Sequence, residues 1–211
     1  MSVDESTHLF RAVGEGLVCA LTFDDGPNGR DTMRLLDFLA AHRILAVFCV
    51  VGQCIEAPAG DHGPSGADVL RRIVAEGHLL ANHSTSFEDM GEWDADRVRA
   101  DLVRNNEIIR SVVGDVDIPY WRAPNGTWGV TVEVARELGM APLSVRNAIG
   151  DWLTQDIPTL TQRLREVMVP GDIVLVHDGG GDRAGSVEAV ETVVSERLAE
   201  GWTFTLPANE P

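Results

Sequence analysis

The sequence predicts an α/β fold: a parallel β/α barrel of about seven strands, incomplete or distorted. Three observations carry that expectation. Apolar strand-like runs alternate with helix-like segments from end to end, and the runs are apolar on both faces, as strands covered by helices must be. Their number suits a barrel better than a small open sheet. Polar residues capable of chemistry also gather directly after several runs, at the strand ends where parallel α/β folds collect ligands.

The first strand is expected at Leu17–Phe23, and Gly26-Pro27 stops it just after Asp24 and Asp25. Further strands are expected at Ala46–Val51, Leu79–Asn82, Pro119–Arg122, Pro142–Arg146, Ile173–His177 and Trp202–Leu206. Between them, helical spacing of apolar residues covers Asp31–His42, Asp68–Glu76, Asp94–Val113, Val130–Leu138, Thr159–Val169 and Ser186–Glu200. Val98, Leu102, Ile108 and Ile109, for example, share one face of a long helix whose other face is charged. Gly77, Gly114, Gly139 and Gly201 stand where helices end. The Gly-, Pro- and Asp-rich stretch Glu56–Gly66 reads as a surface loop rather than a linker. With no internal repeat, one domain is expected over residues 1–211, its core spanning about 17–206.

Composition narrows the partners. With 17 basic against 33 acidic residues the net charge is −16, which repels nucleic acid and anionic membranes. A neutral or cationic small molecule or oligosaccharide suits it better. No apolar run is long enough to span a bilayer. Residues 1–16 carry charges throughout and show no signal-peptide core. Cys19, Cys49 and Cys54 follow no metal-type spacing, and the first two lie in apolar runs as reduced core residues do. Together these place the expected site of action in the cytoplasm.

Five polar clusters follow the strand-like runs: Asp24-Asp25, Asn82-His83-Ser84, Arg122 with Ala123-Pro124-Asn125-Gly126, Asp151-Trp152, and His177-Asp178 with a glycine run behind it. In a parallel barrel these ends converge on one mouth. Asp24-Asp25-Gly26-Pro27 taken alone fits a turn with one helix-capping carboxylate as well as it fits an active site. The coincidence of all five clusters decides for the site.

The clusters resemble, in order, the motifs of the polysaccharide deacetylase family of carbohydrate esterases. Thr22-Phe23-Asp24-Asp25-Gly26-Pro27 matches the first motif in full, His83-Ser84 begins the second, and Arg122-Ala123-Pro124-Asn125-Gly126 is similar to the third. Asp151-Trp152 resembles the end of the fourth, and Leu175-Val176-His177 the fifth. The resemblance runs from about Leu17 to Leu206 and implies a distorted β/α barrel that removes an acetyl group from the nitrogen of a sugar. It implies Asp24 as general base, Asp25 and His83 as ligands of a divalent ion (zinc, nickel, cobalt or manganese), and His177 as general acid. By the same resemblance the Asn125 backbone N–H holds the oxyanion, Arg122 orients Asp24, Asp151 supports that network and Trp152 walls the site.

This chain departs from the family pattern at three places. Phe87 stands where the family has its second metal histidine, so only Asp25 and His83 match; Glu88 is the candidate replacement ligand, with Asp89 next to it. Ala148 stands in place of an acidic residue of the fourth motif, and Asn125 in place of an aromatic. Of the remaining residues, His78 is expected to close a helix, and His8, His42 and His62 to be solvated. Trp93, Trp121 and Trp202 are expected in the core or barrel wall, and Trp128 has the best claim on a sugar ring. The run Gly179–Arg183 is too loosely patterned for a phosphate cradle and suits a loop beside His177. Two other readings keep the same fold. One is an epimerase or isomerase that uses Asp24 and His177 as an acid–base pair; the other is a degenerate barrel that binds a sugar without turnover, against which the intact acid and base argue.

Overall fold

A computed structural model describes residues 8–61 and 63–208. Each strand-like run yields a strand: β1 (Val18–Gly26), β2 (Val47–Val50), β3 (Leu79–Asn82), β4 (Tyr120–Trp121), β5 (Ala141–Pro142), β6 (Ile173–His177) and β7 (Thr203–Thr205). The helices are α1 (Gly29–His42), α2 (Gly52–Ile55), α3 (Gly66–Ala75), α4 (Ala95–Val113), α5 (Thr131–Glu137), α6 (Ile157–Val167) and α7 (Ala184–Ala199). All strand pairs are parallel, in the order β5-β4-β3-β2-β1-β6, with β7 beside the start of β1.

The sheet curls without closing. No ladder joins β5 to β6 among the described residues; the gap is crossed by residues 9–12 and by the segment after β5. Leu9 N–H donates to the Pro142 carbonyl (2.8 Å), Ser144 N–H to Leu9 (2.9 Å) and Ala12 N–H to Gly171 (2.9 Å). Ala148 forms an isolated bridge with Leu175. This explains two departures from the expected pattern. The fifth strand was expected at Pro142–Arg146; it is Ala141–Pro142 instead, because beyond it the far side meets, among the described residues, only isolated bridges such as Leu9 with Leu143 rather than a continuous strand. His8, expected in solvent, is buried because that segment fills the gap, and its ring meets Trp128 edge-on at 4.4 Å. His62 lies outside the described residues.

Helix starts follow their caps. The Ser65 hydroxyl accepts from Asp68 N–H and starts α3, the Asp94 carboxylate does the same from Arg97 for α4, and Asp156 from Thr159 for α6. His78 is structural, as expected: its Nδ1 accepts from Ala46 N–H at 3.1 Å.

The two-residue period of the strands sorts side chains into two cores. Cys19, Leu21 and Phe23 of β1, Phe48 and Val50 of β2, Leu80 of β3, and Val174 and Val176 of β6 face outward and pack against helix residues such as Leu35, Leu39, Val69, Leu102, Val190 and Val194. Burying each such leucine or valine contributes about 1.5–3 kcal/mol. Val18 and Ala20, Val47 and Cys49, Ala81, Tyr120 and Ile173 face the barrel interior with Leu9 and Leu143. Continued toward the C-terminal ends, the interior columns read Ala20-Thr22-Asp24, Leu79-Ala81-His83, Tyr120-Arg122 and Ile173-Leu175-His177. Alternation therefore delivers Asp24, His83, Arg122 and His177 to one mouth.

Candidate active site

Those columns open into a cavity of about 760 Å³. Asp24, Asp25, His83, Arg122, Asn125, Trp128, Trp152 and His177 all line it, together with Phe87. Asp151 lies behind His177, fully buried. Nine of the ten site residues expected from sequence thus meet here (the eight lining the cavity and Asp151). Glu88 does not: its carboxylate pairs with Arg97 at 3.1 Å in an exposed contact. Its neighbour Asp89 is also turned away, one oxygen accepting from Gly91 N–H (2.8 Å) and the other from the Thr127 hydroxyl (3.0 Å).

Strain is concentrated at the same mouth. Of the four non-glycine residues with positive φ among the described residues, Asp25 (φ 70°) lies at the irregular C-terminal end of β1, and Ser84 (φ 67°) and Asn125 (φ 57°) lie in the turns that follow β3 and β4. Such conformations persist only where surrounding contacts over-determine them. Around Asp25 the contact is a backbone crossing: Asp178 and Gly179 N–H both donate to the Asp24 carbonyl at 3.1 and 3.2 Å. A Cβ on Gly26 would lie 2.5 Å from the Asp178 carboxylate, so only glycine fits. Around Ser84, the Asn82 side chain accepts from Ser84 N–H and from the Asn105 amide while donating to Leu102 and Asn106, which pins the His83 turn to α4.

Arg122 and Asp24 form the first of two pairs. Both side chains are about 4 % exposed; Arg122 Nη1 lies 2.8 Å from Asp24 Oδ1 and 2.7 Å from the Thr22 hydroxyl, and Nε donates to the Leu143 carbonyl at 3.1 Å. A charge pair this buried is held by its hydrogen bonds, and removing one partner strands the other. The second pair is Asp151 and His177. Asp151 Oδ1 lies 2.8 Å from His177 Nδ1, while Oδ2 accepts from His177 N–H and from the Ser186 hydroxyl, both at 2.8 Å. A carboxylate only accepts, so Nδ1 carries hydrogen and Nε2 faces the cavity. Trp152 packs edge-on against this ring at 5.4 Å.

The electrostatics follow from these contacts. Burial on its own lowers the His177 pKa, but the Asp151 hydrogen bond and the charges of Asp151, Asp24 and Asp25 outweigh it and hold the imidazole above its usual value. Burial raises Asp151, and donation from His177 and Ser186 more than reverses this, leaving the carboxyl below its usual range. Asp178 sits behind the Asp24–Asp25 turn, where it accepts from the Thr32 hydroxyl at 2.6 Å. Burial, helped by the charges of Asp24 and Asp25, pushes it up to about 7 against that bond.

A pH consequence follows. Removing the charge of Asp151 removes the main influence that raises His177, so the imidazole loses its proton at lower pH. For Asp151→Asn, the alkaline limb of a kcat–pH profile is expected to move to lower pH, with kcat down about 10²-fold or more. An unmoved limb would show that Asp151 does not act through His177.

A divalent ion is what the Asp25–His83 pair suits. His83 Nδ1 faces the Arg122 carbonyl at 2.7 Å, which fixes hydrogen on that nitrogen and leaves Nε2 toward Asp25. Nε2 and Asp25 Oδ1 stand 3.3 Å apart. Two donors of one tetrahedral ion, each at about 2.0–2.1 Å, stand roughly 3.3 Å apart. The spacing and the tautomer both fit a cation held on these two residues. Among the described residues no third His, Cys, Asp or Glu completes such a set.

Sequence reasoning did not reach Ser186, Gln155 or Thr32, and it named Asp178 and Arg183 only as part of the cluster and loop around His177, with no role. Gln155 Nε2 donates to Ser186 Oγ (3.0 Å) and to the Asp151 carbonyl (2.8 Å). Arg183 donates to the carbonyls of Gly179, Gly180 and Asp151, closing the glycine run beneath His177.

A family model described as polysaccharide deacetylase matches residues 13–143. A chitooligosaccharide deacetylase of Rhizobium leguminosarum bv. trifolii is 35% identical over 161 residues, covering 75% of this chain and 70% of that protein. A peptidoglycan-N-acetylglucosamine deacetylase of Bacillus cereus is 28% identical over 209 residues, covering 98% of this chain and 73% of that protein. Among solved structures, a family 4 acetyl xylan esterase from Clostridium thermocellum in complex with a cobalt ion superposes with a TM-score of 0.73 at 27% identity, covering 90% of this chain and 87% of that one.

Proposed function

This chain belongs to the polysaccharide deacetylase family, and from that premise we propose that it hydrolyses the N-acetyl group of an amino-sugar residue in an oligosaccharide or a sugar-containing small molecule. The observation that carries the reading is the pair of buried contacts, Asp24–Arg122 and Asp151–His177, at the same cavity as Asp25 and His83. Asp25 and His83 would hold a divalent ion, and a solved relative contains cobalt. Such an ion supplies Lewis acidity toward the acyl oxygen and acidifies water.

The chain's own residues do the rest. Arg122 fixes the Asp24 carboxylate, which accepts a proton from the attacking water. The Asn125 backbone N–H is assigned to the oxyanion that forms as the carbonyl is attacked. His177, whose Nδ1–H is held by Asp151, gives the proton on Nε2 to the departing nitrogen. One water is consumed, one C–N bond breaks, and acetate and the free amine leave. Trp152 and Trp128 line the cavity where a sugar ring would stack.

The three thiols are unpaired, which suits a reducing compartment and supports action in the cytoplasm. None of the three relatives described above, two named as deacetylases and one as an esterase, favours the isomerase reading.

Acetate release from chitooligosaccharides and from peptidoglycan fragments, assayed with Co²⁺ or Zn²⁺ present, tests the proposal. Stoichiometric acetate and free amine are expected. Absence of both across the panel, with protein shown to hold the ion, would overturn it.

A further inference from the structure

We infer that Arg183 is a positioning residue for proton donation: its guanidinium ties the turn that carries Asp151 to the loop that follows His177, and so sets the geometry of that pair. The inference rests on the proposed role of His177 as proton donor and deepens it. Asp151 has no strand to fix it. It lies in a turn beyond β5, whereas His177 is the last residue of β6. The 2.8 Å contact between their side chains therefore depends on how two separate loops are joined.

Arg183 makes that joint. It is 7 % exposed, and on one side its Nε donates to the Gly179 carbonyl (2.6 Å) and Nη2 to the Gly180 carbonyl (3.1 Å). On the other side Nη1 donates to the Asp151 carbonyl at 3.1 Å. All of these partners are main-chain oxygens. Arg34, Arg72 and Arg165, by contrast, each meet a carboxylate. A buried charge is costly unless its hydrogen bonds are made. A guanidinium that makes them to carbonyls of two loops acts through its rigid fork, which fixes the direction of every acceptor.

The joint is itself anchored. Arg183 N–H donates to the Asp31 carboxylate (2.9 Å) in the first turn of α1, and its carbonyl accepts from Val187 N–H (2.9 Å) where α7 begins. The side chain thus carries the position of two packed helices to the two loops. The loop after His177 has little slack to absorb a change. A Cβ on Gly179 would lie 2.0 Å from the Asp25 carbonyl oxygen, and one on Gly180 would lie 2.6 Å from the Asp25 carboxylate. Gln155 also donates to the Asp151 carbonyl, at 2.8 Å, so loss of Arg183 leaves that turn held but cuts its link to the His177 loop. Lysine keeps the charge but not the fork, and an ammonium cannot hold the same carbonyls in the same directions.

The test uses the full chain carrying Arg183→Ala or Arg183→Lys, with melting temperatures to confirm the fold; the lysine variant decides if the alanine variant does not fold. NMR shifts of the His177 ring nitrogens, assigned through His177→Gln, report which nitrogen carries hydrogen in the neutral ring and need no substrate. The wild type is expected to hold hydrogen on Nδ1 alone, and both variants to populate both tautomers. The kcat for acetate release should fall about 10- to 100-fold, with KM changed by less than about threefold. In an Asp151→Asn background, Arg183→Ala should lower kcat by less than about twofold further, because both residues act through one contact. A folded variant that keeps the single tautomer overturns the inference, and so do losses that multiply in the double variant. If the wild type releases no acetate from any substrate, the deacetylase reading fails, and the tautomer measurement alone decides whether Arg183 positions the pair.

Discussion

Replacing Asp24 with asparagine is expected to lower kcat by about 10³-fold, with KM and Co²⁺ binding changed little. Asparagine keeps an oxygen in place to accept from Arg122 Nη1, so the side chain stays where the 2.8 Å contact now holds it. What it loses is the capacity to take a proton. Asp25 and His83 are untouched, so the ion remains, and the loss falls on the chemical step. The variant also leaves Arg122 without its countercharge at about 4 % exposure. Breaking a buried pair costs about 3–5 kcal/mol when nothing replaces the partner, and the retained hydrogen bond offsets part of that. Steady-state kinetics and thermal melts on the same preparation separate the two effects. A variant that is stable yet keeps more than a tenth of the wild-type kcat would remove Asp24 from the role of base.

Replacing Phe87 with histidine is expected to tighten Co²⁺ binding on the order of 100-fold. The ring of Phe87 lines the cavity with Asp25 and His83, and at 40 % exposure it supports little of the core. Its loss should therefore cost no more than about 0.5 kcal/mol of stability, and a nitrogen in its place adds the third protein donor that the described residues do not supply. Equilibrium dialysis checks the affinity and the melting temperature checks the fold. If the variant binds Co²⁺ no more tightly than wild type, position 87 does not face the ion, and the cation is held in some way other than on Asp25 and His83.

The site was legible in the sequence to the extent that strand periodicity and adjacency could carry it. Asp24, His83, Arg122 and His177 each follow a buried run at the phase that points inward, and parallel strands end side by side. β1 and β6 place Asp24 in register with His177, so the two sit on neighbouring strands although 153 positions separate them. Glu88 was a candidate from adjacency alone, with no strand to set its phase. It lies in a loop, where Arg97, nine residues on, captures it. The short fifth strand and the burial of His8 share one cause. Residues 9–12 fill the opening between β5 and β6, a contact between segments distant in the chain that no local pattern announces.

The sequence by itself determined the parallel β/α architecture, the mouth at which the chemistry gathers, and the absence of a metal histidine at Phe87. These follow from alternation, from helix spacing and from residue identity, which are local properties. Only the tertiary structure decided how each group is tuned and held. Ser186 reaches Asp151 from the first turn of α7, Thr22 and Leu143 complete the hold on Arg122, and Thr32 holds Asp178 behind the Asp24–Asp25 turn. Those partners come from separate elements brought together by packing, and a hydrogen bond depends on ångström-scale placement that one-dimensional spacing does not encode.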